Sequence, residues 1–147
     1  MIDLKVPGDK SITHRSLMLA ALAQGESTIR GALVSADTES TATALRALGV
    51  EIPVLRADTV LTVRANGAQA ITEPANPLDC GNSGTSARLL MGIAAGLPFA
   101  CTFDGDDSLR ARPMRRVTEP LQQMGARATE LGRPGCLPIC IEGGPLR

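Results

Sequence analysis

Apolar positions in this chain fall in short runs, each opened by a small polar residue and closed by glycine or proline. Leu17, Met18, Ala21 and Leu22 recur at helical spacing within residues 12–23, which predicts a helix led in by Asp9-Lys10-Ser11 and ending at Gly25. Residues 4–6 predict a short strand before it, stopped by the turn pair Pro7-Gly8. Residues 28–33 read as a strand, and Ser35-Ala36-Asp37 as the cap of a second helix over 38–48 closed by Gly49. Two strands follow over 50–55 and 60–64, with Ala65-Asn66-Gly67 as a turn; Pro53 puts the first at a sheet edge or bulge.

After Glu73-Pro74-Ala75-Asn76-Pro77 the order returns. A helix is expected over 83–95 with Gly96 at its end, a strand over 99–104, and a polar loop over 105–112. A further helix is expected from Pro113 to Met124, closed by Gly125, and then strands over 127–130 and 137–141. Pro113 suits a first helical position because its missing N–H has no partner there. Pro120 should kink or split that helix. Arg15-Ser16-Leu17-Met18 matches Arg88-Leu89-Leu90-Met91, and Leu48-Gly49 matches Met124-Gly125. The pattern is a mixed α and β fold made of a duplicated βαβαββ module, with units at 9–72 and 73–147 and a leading strand within 1–8.

Composition removes several function classes. Fifteen basic and fifteen acidic residues cancel, so no global field attracts nucleic acid or membrane. Trp and Tyr are absent and Phe occurs only at 99 and 103, which leaves no platform for base stacking. No basic region followed by an apolar run opens the chain, and no run approaches a membrane span. Cys80, Cys101, Cys136 and Cys140 form no paired motif, and the one histidine, His14, completes no zinc set. Reduced thiols and a cytoplasmic location are expected, with no metal and no cofactor.

The chemistry gathers at helix starts. Gly81-Asn82-Ser83-Gly84-Thr85 is a small polar loop running into an apolar helix, a setting that favours a phosphate or carboxylate. Lys10, Arg15 and Arg112 add cations near other helix starts; Arg112, just before Pro113, is expected to look along a helix axis. If the repeated helices point the same way, these positive ends face one region and a small anion is the ligand. His14 reads as a solvated or capping residue, Asp37 as a plain N-cap, and Arg110, Arg115 and Arg116 as a solvated face.

Three stretches also carry a resemblance. Residues 7–17, Pro-Gly-Asp-Lys-Ser-Ile-Thr-His-Arg-Ser-Leu, resemble the opening motif of 5-enolpyruvylshikimate-3-phosphate synthases, and Lys10-Ser11 distinguishes it from the Lys-Asn of the sister UDP-N-acetylglucosamine enolpyruvyl transferases. Residues 81–90 resemble the family's second signature, and residues 105–114, followed by Pro120-Leu121 and Met124-Gly125-Ala126, a third. The resemblance implies the enolpyruvyl transferase fold, an inside-out α/β barrel of two domains with three βαβαββ units each. It implies transfer of the enolpyruvyl group of phosphoenolpyruvate to the 5-hydroxyl of shikimate 3-phosphate, with release of phosphate, in aromatic amino-acid biosynthesis. It implies that Lys10, Asn82, Gly84, Thr85 and Arg112 take phosphoenolpyruvate, that Lys10, Ser11 and Arg15 take shikimate 3-phosphate, and that Lys10 is the catalytic group among them.

Leu89 departs from the proline that many relatives carry after the arginine. Family members are also much longer, and the resemblance puts their acid/base carboxylates beyond this length. The chain therefore reads as an N-terminal segment, expected to be inactive alone and to need the remainder of the enzyme as its partner. A non-catalytic anion-binding module, or a structural half that pairs with a separate chain, are the other readings.

Overall fold

The computed structural model describes residues 6–57 and 59–147. Of the leading strand, Leu4 and Lys5 lie outside the described residues, and Val6 is in no strand. Among the described residues two sheets and five α-helices follow. α1 (Lys10–Leu22) begins where Asp9 Oδ1 accepts the Ile12 N–H at 2.7 Å. Its buried face holds His14, Leu17, Met18 and Ala21, an i, i+3, i+4, i+7 stripe. β1 (Gln24–Ile29) pairs antiparallel with β2 (Leu61–Asn66), and α2 (Ala36–Ala47) lies between them in the chain. A single 3₁₀ turn, Ala68–Ala70, follows.

β3 (Leu78–Asp79), β4 (Ala100–Asp104), β5 (Arg127–Glu130) and β6 (Ile139–Glu142) form a second sheet in the order β3-β4-β6-β5, parallel only at β3–β4. α3 (Gly84–Ala94), the four-residue α4 (Asp107–Arg110) and α5 (Arg115–Gln123) complete it. Alternation sets each sheet's inner face: Leu61, Val63 and Ala65 on β2, Cys101 and Phe103 on β4, Ile139 and Ile141 on β6 are all buried. α1 packs on α2 and α3, and α3 packs on β4 and α5, so the helices share one core with both sheets.

Several expectations are corrected; the strand expected over 28–33 is found at Gln24–Ile29. No strand forms over 50–55: only Glu51 bridges Arg64. Arg46 instead donates to the carbonyls of Ile52 (2.6 Å) and Pro53 (2.8 Å), and Glu39 Oε2 accepts the Leu55 N–H at 3.3 Å. Side chains of α2 satisfy the backbone there, and Pro53 has no N–H to give a ladder. Ala65 and Asn66 extend β2 to pair with Gly25 and Gln24, so the turn begins two residues later, at Gly67. Pro113 does not open α5, which starts at Arg115; Met114 sits before it, its N–H held by the Gly135 carbonyl at 2.8 Å. Gly49, Gly96 and Gly125 follow their helices as expected, Gly49 and Gly125 with positive φ, but Gly25 lies inside β1.

All four cysteines are free; three are buried and Cys140 is half-buried. Burial pushes the Cys80 thiol up to about 12 and the Cys101 thiol up to about 11, so neither is a nucleophile at neutral pH. No helix among the described residues is long and apolar enough to cross a membrane.

Candidate anion-binding site

Three helix starts meet on one side of the core. α3 is capped by Ser83, whose Oγ accepts the Ser86 N–H at 3.2 Å. α2 is capped by Ser35 with a reciprocal bond from Thr38, so Asp37 is not the cap; its carboxylate accepts Lys10 Nζ at 2.8 Å. That ion pair ties the starts of α1 and α2. The Ser86 hydroxyl also reaches the Asp37 carbonyl at 3.2 Å, which brings in α3.

The loop before α3 is built on the loop after β4. Gly81, at φ +55, directs its carbonyl to the Asp106 N–H (2.9 Å), and Asp79 Oδ1 accepts the Gly81 N–H at 2.8 Å. Asn82 Nδ2 donates to Asp106 Oδ2 at 2.8 Å, and Asn82 Oδ1 accepts Arg112 Nη2 at 2.6 Å. The Asn82 amide, with the Leu109 N–H, holds the Asp106 carboxyl below its ordinary range. Asp106 thus orients Asn82, and Asn82 orients Arg112. Arg112 also reaches Ser108 Oγ at 3.5 Å and makes no ion pair among the described residues.

Gly84 lies under this group. A Cβ there would stand 2.5 Å from Arg88 Nη1 and 3.4 Å from Arg112 Nη1. Both are ends of flexible side chains, so alanine is admissible for the backbone but must move the Arg88 guanidinium and would bring a methyl into contact with that of Arg112. Arg88 donates to the carbonyls of Gly84 and Pro113, each at 3.2 Å, and so clamps the α3 start to the segment that carries Arg112.

Asn82, Gly84 and Arg112 are therefore brought together. Lys10 stands at the neighbouring helix start, half-exposed and paired with Asp37. Ser11 and Arg15 are exposed, and Arg15 Nη1 donates to the Ser11 carbonyl at 3.2 Å. Thr85 is half-buried and its side chain makes no hydrogen bond among the described residues. Arg112 does not lie at a helix start, because α5 begins three residues later. Arg110 is not merely solvated: it grips Asp104 with two bonds of 2.8 and 2.7 Å, and that grip holds the Asp104 carboxyl below its ordinary range. His14, expected at the surface, is fully buried. Arg88 and Asp106 were not singled out from sequence. The polar side chain facing Asn82 across two glycine-bearing loops was the available signal for Asp106.

The EPSP synthase (3-phosphoshikimate 1-carboxyvinyltransferase) family profile matches residues 2–147. The 3-phosphoshikimate 1-carboxyvinyltransferase of Rhodopseudomonas palustris is 52% identical over 139 residues, covering 95% of this chain and 31% of that relative. The Gloeobacter violaceus protein of the same name is 52% identical over 146 residues, covering 99% and 34%. A solved EPSP synthase from Acinetobacter baumannii superposes with a TM-score of 0.90 at 40% identity over 96% of this chain and 32% of that one. The chain spans about a third of the length of the curated relatives it matches, from 31% to 34%.

Proposed function

The chain belongs to the EPSP synthase (3-phosphoshikimate 1-carboxyvinyltransferase) family, and from that membership we propose that it supplies one face of the substrate site for enolpyruvyl transfer. In that reaction the 5-hydroxyl of shikimate 3-phosphate gives up its proton and adds to the enol carbon of phosphoenolpyruvate while the methylene gains a proton; phosphate then leaves as the new methyl group loses a proton, which restores the double bond. The observation that supports this reading is the Asp106–Asn82–Arg112 chain, which holds a guanidinium without a carboxylate partner among the described residues over Gly84 at the start of α3.

The roles follow from chemistry. Arg112 takes the phosphoenolpyruvate anion by charge-assisted bonds, and the α3 start adds its positive end. Asn82 and Thr85 line the pocket, and Gly84 keeps it open. Lys10 leaves Asp37 to bridge the two anionic substrates, which lowers their mutual repulsion as they approach. Ser11 and Arg15 turn outward to the ring substituents and carboxylate of shikimate 3-phosphate. The two stretches 9–72 and 73–147 are read as successive βαβαββ units; Arg15 and Arg88, equivalent in the repeat, each bond the carbonyl four residues earlier in their helices, which favours that reading. The working protein is read as cytoplasmic, needing the rest of the relatives' length as its partner, with no membrane or nucleic acid.

Phosphate is the probe for this chain. Two charge-assisted bonds and one or two helix ends contribute about 4–6 kcal/mol before ordering costs, so the affinity should be roughly millimolar or weaker. In an NMR titration the shifts should cluster at residues 9–11, 82–86 and 110–114 and shrink with added salt. Shifts scattered over the basic surface would refute a site preformed here.

Gly84→Ala should leave the melting temperature of this chain nearly unchanged, because only side-chain ends must move. In a chain of the relatives' full length it should weaken a bulkier anionic inhibitor such as glyphosate more than phosphoenolpyruvate. Equal losses for the two would reduce Gly84 to a turn residue.

A further inference from the structure

His14 takes no part in the chemistry above, yet a line of hydroxyls runs from it to the site loop. His14 Nδ1 lies 2.7 Å from Thr41 Oγ1, Thr41 Oγ1 lies 2.6 Å from Ser86 Oγ, and the Ser86 hydroxyl donates to Ser83 Oγ at 2.7 Å. The four residues come from α1, α2, α3 and the cap of α3, and all are buried. His14 Nε2 is buried with no hydrogen-bond partner, alone in this among the described residues.

Hydrogens decide the direction of the line. Each hydroxyl has one, and a neutral imidazole has one. Ser86 is the donor in its 2.7 Å contact with Ser83 Oγ, shorter than its 3.2 Å approach to the Asp37 carbonyl, whereas the contact with Thr41 accepts either direction, so the Ser86 hydrogen is assigned to Ser83. The Thr41–Ser86 contact must then use the Thr41 hydrogen. Thr41 has none left for His14, so the contact at Nδ1 needs a hydrogen on Nδ1. The orphaned Nε2 points the same way. With the hydrogen on Nδ1 it carries only a bare lone pair, whereas the other tautomer buries an N–H without an acceptor.

We propose that His14 is a positioning residue for the anion site: as the neutral Nδ1–H tautomer it heads a one-way relay through Thr41 and Ser86 that fixes the Ser83 cap. Ser83 Oγ then accepts both the Ser86 O–H and the Ser86 N–H, which locks the residue flanked by Asn82 and Gly84. Successive bonds polarise one another in a dry setting, so the first donor strengthens the last. Protonation would add the N–H that Nε2 cannot satisfy. Burial lowers the imidazole's pKa; Asp37 on α2 favours the imidazolium and is outweighed, while Lys10 and Arg15 on α1 act with burial against it. The effect on anion binding rests on the function proposed above. The tautomer and the cap do not.

A long-range proton–nitrogen correlation spectrum of the labelled chain tests the first half. It should show the neutral Nδ1–H pattern from about pH 5 to 8, where an ordinary histidine titrates. An Nε2–H pattern, or an imidazolium near the middle of that range, would overturn the relay. Three variants test the second half: His14→Leu, Thr41→Val and His14→Asn, whose amide N–H takes the place of Nδ1–H. Exchange of the Ser86 amide hydrogen should quicken by about 3–10-fold in the first two, the worth of one buried hydrogen bond, and stay near the parent rate in His14→Asn. Phosphate binding should follow the same order. No change in His14→Leu, or equal loss in His14→Leu and His14→Asn, would end the positioning role. Should His14→Leu fail to fold, the tautomer and His14→Asn still decide. A parent chain that binds no phosphate would sink the proposed function and leave the exchange and tautomer tests standing.

Discussion

Arg112→Ala, in a chain of the relatives' full length, should lower kcat/KM for phosphoenolpyruvate by about ten- to a hundredfold, the equivalent of one charge-assisted hydrogen bond at roughly 1.5–3 kcal/mol. The substitution removes the guanidinium and also releases Asn82 Oδ1, which Arg112 holds at 2.6 Å. Arg112→Lys should recover only part of the loss, because a point charge cannot bond Asn82 and an anion in the same fork geometry. Lys10→Ala should cost a similar factor, reduced by whatever the pairing with Asp37 already withholds from the ligand. If both cations share one anion, the double variant should lose less than the two single losses combined. Steady-state kinetics on the parent and the four variants checks this. Fully additive losses would place the two residues on separate anions, and an unchanged kcat/KM in Arg112→Ala would remove the site from this face.

Gly105→Val should destabilise this chain by about 1–3 kcal/mol through overpacking, a fall of several degrees in the melting temperature. A Cβ at Gly105 would stand 2.5 Å from the Gly81 carbonyl oxygen and 2.6 Å from Leu109 Cδ2. The first contact is backbone and cannot swing aside. Gly81 is itself held by Asp79 and Asp106, so the strain must part the loop before α3 from the loop after β4. Those are the loops that bring Asn82 to Asp106, and the anion site should loosen with them. Gly92→Ala is the control: nothing lies within 4 Å of its added Cβ, and it sits inside α3. It should stabilise by about 0.5–1 kcal/mol. Thermal melts of both variants, with phosphate titration of the first, test the account; an unperturbed Gly105→Val would contradict it.

What could be read from the chain beforehand was set by local chemistry. Asp9, Ser35 and Ser83 are side chains that bond the first N–H groups of a helix, and each opens one here. The inner faces of β2, β4 and β6 followed from alternation. The segment 50–55 could not be read, because Arg46 and Glu39 reach across from α2 and take its backbone groups, a tertiary event with no local mark. Pro113 failed for a similar reason: the Gly135 carbonyl, far along the chain, fixes Met114 and delays the helix. His14 was legible after all. It completes the stripe with Leu17, Met18 and Ala21, and position alone predicts its burial; the bias towards solvated histidines hid it. At the site, the residue types were readable and their couplings were not. Nothing local says that Asp106 steers Asn82, or that Asp37 rather than a substrate holds Lys10.

The pairing order of the second sheet carries a kinetic consequence. β5 and β6 are neighbours in the chain, with Glu130 opposite Ile139, whereas β4 reaches β6 only by bringing Ala100 to Glu142. Loop-closure entropy rises with the length of chain enclosed, so the C-terminal hairpin can close before either β3 or β4 docks. In the first sheet, Gln24 meets Asn66 only after α2 and the irregular segment beyond it are enclosed. Folding should therefore begin in the C-terminal half. Substitutions such as Ile141→Val should slow refolding, while Val63→Ala should mainly quicken unfolding. Comparable effects of both on the refolding rate would mean that the two sheets nucleate together.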